Sequence, residues 1–208
     1  ITEDEAKDFD TILSKAKVAF SLQNSWYING FYDGLSLFGE KGNDADAGMV
    51  FPKDGADITS YLVDVVANPN FSNDDGASGL AAIKDGSADV LFSGTWSAKD
   101  VKEALGDNYA ATSLPTFTVN GQKKQMKSFA ATKAAAYNPN AKNPKAAAQF
   151  AAYLGSTEAQ KLHYEMRAIP PTDKSLSDLT TDDIAAKAQA DTMANTALLQ
   201  SGLSGMND

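Results

Sequence analysis

Along the chain, stretches with the three-to-four-residue spacing of an amphipathic helix alternate with short unbroken apolar runs. Ala6, Phe9, Leu13 and Ala16 share one face of a helix through residue 15, opened by the capping box of Thr2 and Glu5. Residues 18–22 (VAFSL) predict a short buried strand. A helix over 25–38 follows, with Gly39 as its stop, and then a long polar loop over 39–55. Asp57 is expected to cap a helix through residue 66, which Asn68-Pro69-Asn70 closes. The next helix spans 74–84 and stops at Asp85-Gly86. Residues 88–93 read as a strand, Gly94-Thr95 as a turn, 96–105 as a helix and 109–115 as a strand. The clearest hairpin signal is Asn120-Gly121 between two runs that favour strand. Residues 128–137 read as a strand bracketed by turn residues at 138–144. Helices are expected at 144–154 and 157–166, with a proline-bearing break at 168–173. Thr180 with Asp183 should cap a last helix to about residue 193, beyond which the tail loses periodicity. Alternating helices and short strands make this an α/β protein.

Composition narrows the function classes. The 208 residues, 43% hydrophobic and 22% charged, suffice for one large domain or two small ones. No apolar run approaches the roughly 18 residues of a membrane span. No basic-then-apolar leader precedes the first helix, so a signal peptide is not expected; a start inside a helical pattern suits a mature or truncated product. A net charge of −9 argues against nucleic acid as a partner. Lys123, Lys124 and Lys127 beside the hairpin turn read as a solvated cluster. Cysteine is absent, which removes disulfides, thiolate zinc sites and a cysteine nucleophile. The single histidine, His163, cannot build a multi-histidine metal site and reads as a helical surface residue. No GxSxG, GxGxxG or Walker pattern occurs, so no cofactor is expected. Glycoside hydrolysis needs two carboxylates about 5 to 9 Å apart across the bond. Asp44, Asp46, Asp74 and Asp75 instead fall in loops and first turns, where acids cap helices, and they read as solvated.

The two tryptophans, Trp26 in SLQNSWYING and Trp96 in LFSGTWSAKD, each sit where a predicted strand ends and a predicted helix begins. Such rings suit a ligand with an apolar face and many hydroxyls, which in practice means a sugar. The plain alternative is that both pack on the edge of the core.

The order SLQNSWYINGF, AAIKDGSADVLFSGTWS, YAATSLPTF, NPKAAAQFAAYLGSTEAQKLHYEMRAIPP resembles the carbohydrate-binding proteins of ABC transporters, most closely the maltose/maltodextrin-binding proteins. Ile83, Gly86, Ala88 and Val90 through Trp96 match a helix feeding a strand and a G-x-W turn, with Val90 where the family has Met. Leu114-Pro115, the Asn120-Gly121 turn, Pro144 to Gln160 and Ile169-Pro170-Pro171 match the motifs that follow. The resemblance implies a periplasmic-binding-protein-like (type II) lobe, a mixed sheet flanked by helices. It implies that the chain is mainly the C-terminal lobe of a protein about twice as long, with the N-terminal lobe absent. The stretch 130–172 would be the one that crosses to that lobe. The family's role is to bind maltose or maltodextrin, without catalysis, and present it to a membrane permease. Its location is extracellular, at the cell surface on a lipid anchor, or periplasmic. By the same resemblance Trp96 stacks on the sugar, and Trp26 and Tyr27 share the second aromatic position. Asn24 stands where relatives often carry a carboxylate; an amide can both donate to and accept from hydroxyls. Gln23 and Tyr32 are weaker candidates. The rival readings are a carbohydrate-active enzyme and an unrelated α/β domain whose tryptophans are core.

Overall fold

The computed structural model describes residues 1–39, 43–130 and 133–199. At its centre is a three-stranded parallel sheet in the order β4 (Phe71–Asn73), β1 (Val18–Phe20), β5 (Val90–Phe92). The middle strand is buried on both faces, which explains its unbroken apolar run. Val18 and Phe20 point into the main core, while Ala19 points to a smaller cluster with Ile83 and Ala88. The main core is aromatic. Phe20 stacks on Phe92 at 4.4 Å, Phe9 meets Phe92 edge-on at 5.4 Å, and Phe31 meets Phe117 at 5.0 Å. These offset and edge-to-face geometries favour aromatic pairs beyond the area they bury.

The first helix is shorter than expected. Thr2 and Glu5 do form the capping box, each backbone N–H reaching the other's side chain, but it opens only a 3-10 turn over Glu5–Lys7. The extended backbone of Asp8 breaks the run. Its Oδ1 accepts from the N–H of Thr11 and caps α1 (Phe9–Lys15).

The expected helix over 25–38 is also corrected. It shrinks to α2 (Ser25–Ile28) and a 3-10 turn at Asn29–Phe31. Gly30 lies against the backbone of Lys127 there, and Gly34, at φ 84°, turns the chain into β2 (Ser36–Leu37). Part of the loop expected over 39–55 pairs back on β2 as β3 (Met49–Val50); its residues 40–42 lie outside the described residues. Helix α3 (Gly55–Ala67) starts two residues before Asp57, which sits in its first turn rather than at its cap.

Strand β4 lies in a stretch for which no element was expected, and the helix expected from residue 74, α4 (Ser78–Asp85), begins four residues later. Gly86, at φ 76°, ends it in the left-handed conformation that costs glycine least. After β5 come a 3-10 turn at Thr95–Ser97 and α5 (Ala98–Leu105). Residues 109–115 are irregular instead of a strand. The carbonyl of Pro115 accepts from the Met126 N–H and, with that of Leu114, from the Gln125 side chain. The hairpin β6 (Thr116–Val119) and β7 (Gln122–Gln125) is as expected, with Asn120 at φ 51° and Gly121 at φ 75°. The three lysines beside it are not merely solvated: Lys123 pairs with Asp8, Lys124 with Asp54 and Lys127 with Asp33.

Strand β8 (Ser128–Ala130) covers only the first part of the strand expected to residue 137; residues 131–132 lie outside the described residues, and 133–137 are irregular. Helices α6 (Pro144–Leu154) and α7 (Thr157–Arg167) pack on each other, with His163 exposed on α7. Asp183, not Thr180, caps α8 (Ile184–Asn195) by accepting from the Ala186 N–H. The chain then forms β9 (Ala197–Leu199), parallel to β8, where the tail showed no period. Residues 200–208 of that tail lie outside the described residues.

Asp183 also accepts from the Tyr164 hydroxyl at 2.8 Å, tying α7 to α8. Burial, with this bond and the Asp183 charge, pushes the Tyr164 phenol up to about 12. A phenol ordinarily ionises near 10, so the fold favours its protonated form. That stabilisation is complete below pH 10 and is lost as pH rises through about 12. Thermal melts between these limits should therefore show a falling midpoint, and Tyr164→Phe should flatten the decline. An unchanged slope in that variant would assign the alkaline loss elsewhere.

Candidate functional site

In open α/β sheets, ligands bind beyond the carboxyl ends of the strands, where neighbouring connections leave in opposite directions. Here β1 is that point, with β4 on one side and β5 on the other. A cleft of about 640 Å³ opens there. The segment after β1 supplies Ser21, Gln23, Asn24, Ser25 and Trp26, and the segment after β4 supplies Asp74 and Asp75. The turn after β5 carries Trp96 at the same sheet edge.

Local structure fixes each side chain. Asn24 is the N-cap of α2, its Oδ1 accepting from the Trp26 N–H at 2.9 Å. The amide oxygen is thus occupied by the helix, and its NH2 is the group suited to a ligand oxygen. Trp26 is half-buried, its ring tilted on Phe129 of β8 with centroids 5.3 Å apart. Tyr27 does not line the cleft. It meets Phe20 edge-on at 5.9 Å and packs against the main core. Burial, reinforced by the nearby Asp74 charge, pushes its phenol up. Tyr32 is buried, its hydroxyl 2.9 Å from that of Thr59 on α3, so it belongs to the core and not to the cleft. Gln23 lines the cleft and is exposed.

Trp96 is 63% exposed, which removes the reading of this ring as core. Its ring folds over Gly94: a methyl at that glycine would lie 2.2 to 2.5 Å from three ring atoms. The backbone of Gly94 is ordinary extended chain, so the glycine is required by the ring and not by its own dihedrals. A hydrogen bond between the Ser93 and Ser97 hydroxyls closes the same turn.

The structure brings Asn24 and Trp26 together in the cleft with two acids that the sequence places among solvated loops. Asp75 is exposed. Hydrogen bonds from the backbone N–H groups of Ser78 and Ala77 hold its carboxyl below the usual range. Asp74 departs from the expectation, being only 8% exposed. Its Oδ1 accepts from the N–H of Gly79 at 2.8 Å, the N–H of Gly76 at 2.9 Å and the hydroxyl of Ser78 at 3.2 Å. The sequence signal is the Gly76 and Gly79 spacing, which lets two backbone N–H groups converge on one carboxylate. Among the described residues no cluster of three or more His, Cys, Asp or Glu could hold a metal ion, and no helix is long and apolar enough to cross a membrane.

A family model described as bacterial extracellular solute-binding protein matches residues 1–194. A solved structure described as "with acarbose" superposes with a TM-score of 0.90 and 40% identity, over 97% of this chain and 54% of that one. The maltodextrin-binding protein MalE1 from L. casei BL23, solved without ligand, superposes with a TM-score of 0.79 over 99% of this chain and 57% of its own. Its 23% identity speaks for the fold alone. This chain therefore spans a little over half the length of each structure. No curated protein matches it.

Proposed function

This chain belongs to the bacterial extracellular solute-binding proteins, and from that premise we propose that it is mainly the C-terminal lobe of a two-lobe protein for maltodextrin-type oligosaccharides. The family is one of binding proteins, which displaces the carbohydrate-active enzyme as the rival reading. The mixed α/β lobe, a parallel central sheet flanked by helices, matches periplasmic-binding-protein structures.

The observation that carries the sugar reading is the Trp96 ring, exposed over Gly94 at the carboxyl edge of the sheet. Sugars present C–H bonds on one ring face and hydroxyls around the edge. An indole takes the face by dispersion, and the groups of the cleft take the edge. Trp96 is the stacking platform, Trp26 a second aromatic wall with Tyr27 behind it in the core, and Asn24 a donor to hydroxyls. The descriptions of the two similar structures, one with acarbose and one a maltodextrin-binding protein, support the same ligand class.

In this reading residues 130–172 cross to the missing lobe. The exposed apolar side chains of α6 and α7 support it, among them Phe150 at 62% and Met166 at 71%. Faces of this kind mark interaction surfaces. The whole protein would capture sugar between its lobes, close by a hinge and present the ligand to the membrane permease of an ABC transporter. It would work outside the cytoplasmic membrane, on a lipid anchor or free in the periplasm.

One lobe makes only part of the contacts, so the 208-residue chain should bind maltotriose weakly, with a Kd of about 1 mM or above. Titration followed by tryptophan fluorescence should show a saturable change in that range. Sub-micromolar binding by this chain would contradict the two-lobe reading, and no response at any concentration would contradict sugar binding.

A further inference from the structure

We propose that the 208-residue chain associates with a second copy of itself, the outer face of α6 in one copy docking on the outer face of α3 in the other. None of the residues involved lines the cleft, so the contact is independent of which sugar binds there. It covers α6 wherever the missing lobe does not.

Helix α6 is largely apolar and yet has no buried residue. Ala146, Phe150 and Tyr153 stand four and three residues apart and share one exposed face, with Phe150 at 62% and Tyr153 at 44%. A helix with such a face draws most of its stability from what packs on it. Lys142 and Lys145 flank its start, where the positive end of the helix dipole disfavours cations. No acid occurs in the sequence between Asp107 and Glu158. The other lysines of that stretch beside the hairpin are paired, but among the described residues no acid pairs with Lys142 or Lys145.

Helix α3 presents the complement. Ile58, Leu62 and Val65 bury its inner side. On the outer side Ala56, Ser60, Val63 and Ala67 are exposed at helical spacing, Val63 at 64%. Asp57 and Asp64, seven residues apart and both exposed, line one flank of that stripe. The helix contains no lysine or arginine, and Asp64 stands in its last turn, where the dipole disfavours an anion. Each helix thus carries at one end a charge that its own dipole opposes, and the two charges are opposite in sign.

Laid antiparallel, the two faces match. Lys142 and Lys145 meet Asp64, and the Tyr153 hydroxyl comes level with Asp57. At 1.5 Å per residue, Lys145 to Tyr153 spans about 12 Å along α6 and Asp64 to Asp57 about 10 Å along α3. The large side chains of α6 fall on the small ones of α3, as ridges fit grooves. Both faces are exposed in the same chain, so they do not meet within one copy. Two α6 faces would set lysine against lysine, and two α3 faces aspartate against aspartate. Charge therefore selects the α6–α3 pair.

The test is sedimentation equilibrium of the 208-residue chain near neutral pH over a range of concentrations. The average mass should rise above that of one chain with concentration, and less so in 0.5 M salt, about the range where exposed charges are screened within a few Å. Two charge-reversed proteins follow, one with Lys142→Glu and Lys145→Glu, the other with Asp57→Lys and Asp64→Lys. Each should associate at least about tenfold more weakly than wild type, as should Phe150→Ala. All these positions are exposed, so thermal melts should stay near wild type. An equimolar mixture of the two reversed proteins should regain association, since each keeps one native face and offers it to the other. A wild-type chain that stays a single copy at every concentration overturns the proposal. So does a mixture that fails to regain association. Loss on reversing α6 with no loss on reversing α3 also overturns it, and assigns α6 to another surface. Maltotriose titration of the reversed proteins should match wild type in every case, so the sugar-binding reading stands or falls separately.

Discussion

Gly30→Ala is expected to destabilise the chain by about 3 kcal/mol or more, at the upper end of overpacking effects. The added methyl would sit 2.0 Å from the carbonyl oxygen of Lys127. That neighbour is backbone, so no rotamer change relieves the clash; one of the two segments must move. Moving either one breaks the hydrogen bond from the Lys127 N–H to the Gly30 carbonyl, 2.8 Å long. It also shifts the start of β8, whose Phe129 backs the Trp26 ring, so the cleft should loosen together with the fold. For a chain of this size the loss corresponds to a fall in melting temperature of about 6 °C or more. Gly155→Ala is the matched control. Its methyl meets nothing closer than 3.7 Å, and its φ of −88° suits alanine, so its effect should stay within about 0.5 kcal/mol. Similar melts for the two variants would show that the contact at Gly30 relaxes freely.

That contact also shows where sequence reading reaches its limit. Residues 25–38 carry a helical pattern, yet the helix stops after one turn, because Gly30 belongs to a backbone crossing with a residue nearly a hundred positions away. Strand β4 is similar. Phe71-Ser72-Asn73 exposes two of its three residues and shows no period of its own, and it is a strand because β1 offers it an edge. Elements that satisfy themselves locally are legible. The double burial of β1 leaves an apolar run, the hairpin needs two residues at positive φ and has Asn120-Gly121, and α6 announces itself with Pro144 in its first turn. The cleft divides in the same way. Trp96 is readable because a large ring after a glycine at a strand end has few local uses. Asp74 is not readable, since NDDGAS has the composition of a solvated loop and its burial follows from β4 and from the close approach of Gly79.

Trp96→Ala is the second large effect, and it should fall on binding rather than on stability. The ring is mostly exposed, so its removal should cost the fold no more than about 0.5 kcal/mol. Covering about 80 Å² of indole and sugar C–H surface contributes about 2 kcal/mol at 25 cal/mol per Å², so maltotriose affinity should fall about thirtyfold. Gly94→Ala then separates the presence of the ring from its placement. The methyl would need the space the ring now fills, and a ring at the end of a side chain can swing away at small cost to the fold. Binding should nevertheless weaken, since the platform would leave the sheet edge with its chemistry intact. Titration of both variants by calorimetry, beside their thermal melts, distinguishes the cases. Weak binding in both with unchanged melts fits a ring preorganised by Gly94. Weak binding in Trp96→Ala alone means that the ring reaches the sugar from more than one position. Full binding in Trp96→Ala would remove stacking from the site and leave recognition to the polar groups of the cleft.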